Sequence, residues 1–268
     1  MAPAFRNPYS NSFAHDIPPR NTDEAHSNEP LTHHVTDPHD ELKVWDAAVP
    51  IPRVRTGTTL LNQPVIKTLV FRKKVFNSDI SIWDCTKDSE AQVYFAACSE
   101  WKRNVPDITL HSVIAGQDTL GPILGVAHFR YARSVKFGIG DAQNDPNSVQ
   151  WEEMRNVSKM LTKSKYEWDF TECPEWSDID AGTHPPGTRR FRWQRTISDQ
   201  DGVQNKLSLK NYRLTDEDTG AVVAVFVAST LGSLRKHGEL RLFEKLRPKV
   251  EVAVVLTCAS IAEKLNRD

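Results

Sequence analysis

From about Ile66 onward, apolar and polar positions alternate with a period of two over most of the chain. "KTLVFRKKVF" is followed by "DISIWDC", "EAQVYFAACSEW", "ITLHSVIA" and "PILGVAHFRYA". These are short runs rich in Val, Ile, Phe, Tyr and Trp, separated by turn residues, which is the pattern of half-buried strands. "RSVKFGIGDAQNDPN" is a strand entering a polar turn, and "SVQWEEMRNVSKML" is consistent with a strand or a short helix. "KYEWDF" and "RRFRWQRT" are strands on either side of a loop rich in Pro and Gly. "KLSLKNYRLTD" and "GAVVAVFVAS" flank "DEDTG", a strong hairpin signal, and "GELRLFEKL" follows. Ten or more strands and a single helix predict a closed or nearly closed antiparallel barrel, because closure removes exposed edges.

The helix lies at the end. Of the eleven residues Val252 to Ala262, only Thr257 and Ser260 are not apolar, and none is charged. As a helix this run is about 16 Å long, against a hydrocarbon layer of about 30 Å. Glu251 and Glu263 bound it, so spanning a bilayer would carry carboxylates into lipid. A surface helix should show a polar stripe, but Val252, Ala253, Val254, Val255 and Leu256 cover every direction around the axis. The expectation is a helix over residues 249–266 that is buried on all sides, with strands wrapped around it. Ala253, Ala259, Ser260 and Ala262 would let those strands approach closely.

"GVAHFRYARSVKFGIGD", "WEEMRN", "KYEWDF", "RRFRWQRT", "KLSLKNYRLTDEDTGAVVAVFVAS", "GELRLFEKL" and the final helix carry a resemblance of pattern and order. They resemble the tubby C-terminal domain superfamily, whose relatives are the LURP-one-related proteins and the phospholipid scramblases. The chain is similar to a fungal-type member of that group. With the strand pattern, this gives a mainly β domain: a closed antiparallel β-barrel of about twelve strands around a buried C-terminal hydrophobic α-helix. The resemblance also implies binding of phosphoinositide head groups through basic residues on barrel strands. The cysteine-rich palmitoylation cluster and the calcium-responsive acidic segment of the scramblases have no counterpart here, which argues against scramblase-type activity.

Residues 1–56 differ from the rest. They contain no glycine, half of the sixteen prolines, and five of the nine histidines (His15, His26, His33, His34 and His39). Their apolar residues show no sustained period, which predicts a disordered tail, with "LKVWDAAVPIP" around Trp45 as a patch that could dock locally. The barrel domain is expected over 57–268. Basic and acidic residues number 34 and 35, so no global field favours nucleic acid or a membrane, and any charge-based binding must come from a local patch. "MAPAFRNPYS" lacks the apolar core expected of a secretory signal, and no run reaches the length of about 20 apolar residues expected of a membrane span. Cys85, Cys98, Cys173 and Cys258 lack C-x-x-C spacing and read as reduced structural thiols. The expected location is cytoplasmic, including peripheral attachment at an internal membrane, or nuclear.

Candidate chemistry is sparse. The chain has no G-x-S-x-G elbow, no phosphate-binding G-x-x-x-x-G-K-[ST] and no G-x-G-x-x-G between a strand and a helix, so neither catalysis nor a cofactor is expected. "DAQNDPNSVQWE" sets Asp141, Asp145, Asn147 and Glu152 at calcium-loop spacing, but Pro146 occupies the position that needs glycine. His33, His34 and His39 lack the further ligands a zinc site requires. Basic strand faces carry the remaining signal. Alternation places His128 and Arg130 opposite Phe129 and Tyr131, with Arg133 and Lys136 beyond a bend. It likewise places Arg190 and Arg192 opposite Phe191 and Trp193, and "FRKKVF" adds Arg72, Lys73 and Lys74. Two such faces side by side would make a phosphate pocket. Arg130, Arg133 and Lys136 are the positions the resemblance implies, and His128, Arg190 and Arg192 join them from the strand pattern. The resulting expectation is non-catalytic binding of anionic phospholipid head groups, with a protein partner for the N-terminal tail and none among nucleic acids. The alternatives are a protein-interaction or gene-regulatory adaptor without lipid binding, and an enzyme or hydrophobic-ligand carrier built on a different barrel.

Overall fold

A computed structural model describes residues 63–267, apart from 74–77, 88–89, 100–104, 115–119, 131–133, 159–163, 173–186, 202, 204–207, 209 and 230–235. The expected tail over 1–56 lies outside the described residues. Twelve strands follow in chain order. They are β1 (Lys67–Lys73), β2 (Ile80–Asp84), β3 (Ala91–Cys98), β4 (Ile108–Val113), β5 (Leu120–Phe129) and β6 (Val135–Ile139). The second half comprises β7 (Gln150–Asn156), β8 (Lys165–Thr171), β9 (Thr188–Arg195), β10 (Tyr212–Asp216), β11 (Val222–Ala228) and β12 (Lys236–Leu242). Each strand pairs antiparallel with its successor, and β12 returns to β1, so the sheet is a closed barrel. The ambiguous segment "SVQWEEMRN" is a strand: Met154 points into the core while Trp151, Glu153 and Arg155 are exposed. The predicted hairpin at "DEDTG" forms with Gly220 at φ 69°, where a side chain would be strained, and the Asp216 carboxylate accepts from the Asp218 and Thr219 amides.

Helix α1 (Pro248–Arg267) fills the barrel, as the all-round apolar run requires. Every residue from Val252 to Lys264 is buried. Proline occupies the first helical position, where its missing N–H costs nothing. The two polar interruptions are satisfied internally. Thr257 donates to the Ala253 carbonyl at 2.8 Å and accepts from the Trp193 indole at 3.1 Å, while Ser260 donates to the Leu256 carbonyl at 2.8 Å. The helix packs most closely on β5 and β6. Gly125 makes this possible, since a Cβ there would lie 3.1 Å from the Leu256 side chain. Farther round the ring the interior is filled by Tyr166, Trp168, Phe170, Phe191, Trp193 and Tyr212 from β8, β9 and β10. Trp168 stacks on Phe191 at 4.5 Å and meets Phe137 edge-on at 5.5 Å. The space bounded by Trp193, Tyr212, Phe226 and Cys258 beside the helix is too small for a water molecule.

Ion pairs hold both ends of the helix. At its start, Glu251 accepts from Lys67 at 2.7 Å and from the Tyr94 hydroxyl at 2.6 Å. Arg247 pairs with Glu172 at 2.6 Å, and Arg189 bridges Asp216 and Glu244, each at 2.8 Å. At its end, Lys73 pairs with Glu263 at 2.7 Å and Arg267 with Asp107 at 2.8 Å, while Lys264 donates to the Ser134 carbonyl at 3.1 Å. These groups complement the helix dipole, with an acid in the first turn and bases in the last. They also fix the depth of the helix, which nondirectional apolar packing does not.

Candidate functional site

The outer wall over β5, β6 and β7 gathers three of the sequence-predicted residues. His128 is the direct antiparallel partner of Lys136, and Arg130, one residue beyond β5, continues the alternation through its amide bond to Ser134, so all three share one face. Between them the chain turns back, with the Arg130 amide donating to the Ser134 carbonyl at 3.0 Å. Phe129 takes the opposite side and lies under the cations of Lys264 and Arg267, 5.4 and 4.9 Å from its ring centre. Arg133 lies outside the described residues.

Trp151 supplies the floor of this face. It is 39% exposed, a large indole on an otherwise charged outer strand surface. Its ladder partner is Gly138, where a Cβ would come within 2.9 Å of the indole ring, so the absent side chain lets the ring lie flat on the wall. The Lys136 ammonium sits 4.6 Å above the ring centre, and the His128 imidazole lies 6.0 Å away, tilted by 37°. Neither Arg130 nor Lys136 has a carboxylate within ion-pair distance among the described residues. Burial pushes the pKa of His128 down, Asp107 pulls it up, and Arg130 and Lys136 push it down further. Burial and the two cations thus disfavour the charged imidazole.

Arg190 and Arg192 do not join this face. On the ring of strands, β9 is separated from β6 by β8 and β7, roughly 14 Å along the sheet at the usual strand spacing. Both arginines point outward as alternation predicts, but both are paired there. Arg192 contacts Glu167 at 2.6 Å and Glu217 at 2.7 Å, and Arg190 contacts Asp169 at 3.2 Å. The two basic faces expected to adjoin are thus apart, and one of them carries its own counter-ions. "FRKKVF" divides similarly. Arg72 lies over Trp83 and pairs with Glu90 at 2.7 Å, Lys73 binds Glu263 of the helix, and Lys74 lies outside the described residues.

The remaining candidates are structural. Asp141 folds its carboxylate onto the Gln143 and Asn144 amides and the Asn144 side chain, which makes a capped turn. Among the described residues no group of three or more His, Cys, Asp or Glu is placed to hold a metal. His33, His34, His39 and Cys173 lie outside the described residues. Burial raises the Cys98 thiol to about 12 and holds the fully buried Cys258 thiol well above the ordinary thiol range, so neither is a ready nucleophile. A second concavity of about 460 Å³ opens at the barrel mouth beside the helix start, with Val93, Leu242 and Leu246 below a rim of mixed charge that includes Lys87 and Glu251.

No family model matches the chain, and no curated protein does either. A solved structure of a protein from Arabidopsis thaliana is similar over 73% of this chain and 90% of its own length, with 9% sequence identity and a TM-score of 0.40. No helix among the described residues is long and apolar enough to cross a membrane.

Proposed function

We propose that this chain is a tubby-like barrel that binds the phosphate of an anionic phospholipid head group, phosphoinositides included, on the outer wall of β5 and β6, without catalysing a reaction. One observation carries the reading: Arg130 and Lys136 share a face with His128, and among the described residues no carboxylate answers their charge. Arginine offers a planar fork and lysine a point charge, and both suit phosphate oxygens. Trp151 beside them is an amphipathic ring of the kind favoured at the level of lipid head groups. The twelve-stranded ring closed around a terminal helix supports the tubby-like assignment. It also supplies a rigid wall on which the side chains keep their spacing.

Each cation near an anionic surface contributes about 1 kcal/mol, so the pair contributes roughly thirtyfold in affinity, falling as salt rises. Flotation with phosphatidylcholine vesicles, with and without phosphoinositide, tests this. The protein should float only with the anionic vesicles. Arg130→Ala combined with Lys136→Ala should lose about tenfold or more, with the melting temperature unchanged. Equal binding to neutral and anionic vesicles would refute the reading.

A further inference from the structure

The lipid-binding face contains a group that its two cations do not need for charge. His128 is half-buried on the outer wall, directly across the ladder from Lys136 and two residues before Arg130, and its ring borders the same indole that carries the Lys136 ammonium. Two fixed cations on one side of an imidazole oppose a third positive charge. The nearest acid is Asp107 on the β4 side, and both of its oxygens are committed. One accepts from the Phe129 amide at 2.8 Å and the other from Arg267 at 2.8 Å. On the β7 side, Glu153 is the ladder partner of Lys136 but makes no ion pair with it. Free of ligand, the face therefore carries an imidazole whose protonation two neighbouring cations oppose.

An anion placed there reverses the balance. A phosphate lying between Arg130 and Lys136 adds negative charge beside the ring, and only the protonated imidazole offers N–H donors on both nitrogens. Resting on the lipid-binding reading above, we infer that His128 is the third phosphate donor of this face and takes up one proton from solvent as the head group binds. The sign follows from linkage. Burial and the two neighbouring cations hold the free imidazole below its ordinary value of 6.5, and bound phosphate moves it up. The bound state then carries more protons than the free state, so affinity rises as pH falls through the bound-state value and levels off below the free-state value. Each unit separating the two values is worth tenfold at the limit.

The experiment uses phosphatidylcholine vesicles containing phosphatidylglycerol, a phosphodiester with no second ionisation, whereas a phosphomonoester titrates near pH 6. Flotation of the full chain at pH 7.5 and 5.5 should show affinity about threefold to tenfold higher at the lower pH. In His128→Asn the dependence should fall, the remainder being what the other histidines contribute as they gain charge over the same range. Equal affinity of the wild type at both pH values, or the same dependence in the variant, overturns the inference and leaves the lipid reading standing. No binding of the wild type at either pH overturns the inference, and flotation with the phosphoinositide vesicles then decides the lipid reading. A measurement on the unaltered chain keeps the test independent of the variant's folding. The imidazole proton resonances of His128, titrated with and without a soluble short-chain phosphatidylglycerol, should report a higher value with the lipid, and an unchanged value refutes the proposal.

Discussion

The outer faces of β9 and of the β5–β6 pair are written in the same way, basic residues alternating with aromatic ones, and they end differently. Arg190 and Arg192 meet Asp169, Glu167 and Glu217 on the neighbouring strand and turn. Lys136 lies between His128 and Glu153 on its two neighbouring strands, yet its ammonium sits over the Trp151 ring and makes no ion pair with Glu153, and Arg130 likewise has no carboxylate within ion-pair distance among the described residues. What separates a structural cation from one available to a ligand is therefore whether a neighbouring carboxylate closes on it, since both Arg192 and Lys136 have a glutamate across the ladder and only Arg192 pairs with it. The helix ends extend the comparison inward, where Lys73 and Arg267 are each answered by a carboxylate and fix the helix in place.

The largest effect should come from an ion pair that holds the buried end of the helix. Glu263→Gln leaves Lys73 without its partner inside the barrel end, and about 3 kcal/mol of stability should go with it. Thermal unfolding followed by circular dichroism should show a fall of roughly 10 °C. A fall under 2 °C would mean that the pair does not hold the helix. A smaller effect, of opposite kind, should come from moving β9 into the other class. Glu167→Gln with Glu217→Gln frees Arg192, and binding to anionic vesicles should rise about threefold to fivefold at low salt. No gain would show that an unpaired cation on this wall is not enough without the indole. The smallest effect belongs to Arg192→Ala, which should cost under about 1 kcal/mol and leave vesicle binding unchanged, since exposed ion pairs contribute little. Lost vesicle binding in that variant would return β9 to the binding face.

The fold was legible because its decisive signal is local. Val252 to Leu256 lack a polar direction, and that alone requires an environment closed on all sides. Strand alternation was legible for the same reason, and it assigned Phe191 and Trp193 inward and Arg190 and Arg192 outward. The site was only half legible because charge compensation is a property of register. Glu167 and Asp169 lie more than twenty residues from the arginines they neutralise, and only the β8–β9 pairing brings them opposite. Trp151 was missed as part of the face. Its signal was present in "WEEMRN", a single aromatic residue on the charged side of a strand, but the value of that side chain depends on Gly138 lying across from it. Asp107 was missed too, since its role is to be already occupied by Arg267 and the Phe129 amide.

Eleven of the twelve ladders join strands that follow one another along the chain, and one, between β1 and β12, does not. The ring is thus closed by a single seam that brings Lys67 to Leu242. Closing it costs about 2–3 kcal/mol more chain entropy than closing an ordinary hairpin. The helix that occupies the interior follows β12, so helix docking and seam closure both depend on the last elements of the chain order. Folding of this protein is therefore a problem of timing: eleven local pairings form a curved, open sheet with its greasy side bare, and the order in which helix and seam arrive sets how long that sheet stays exposed to its neighbours in solution.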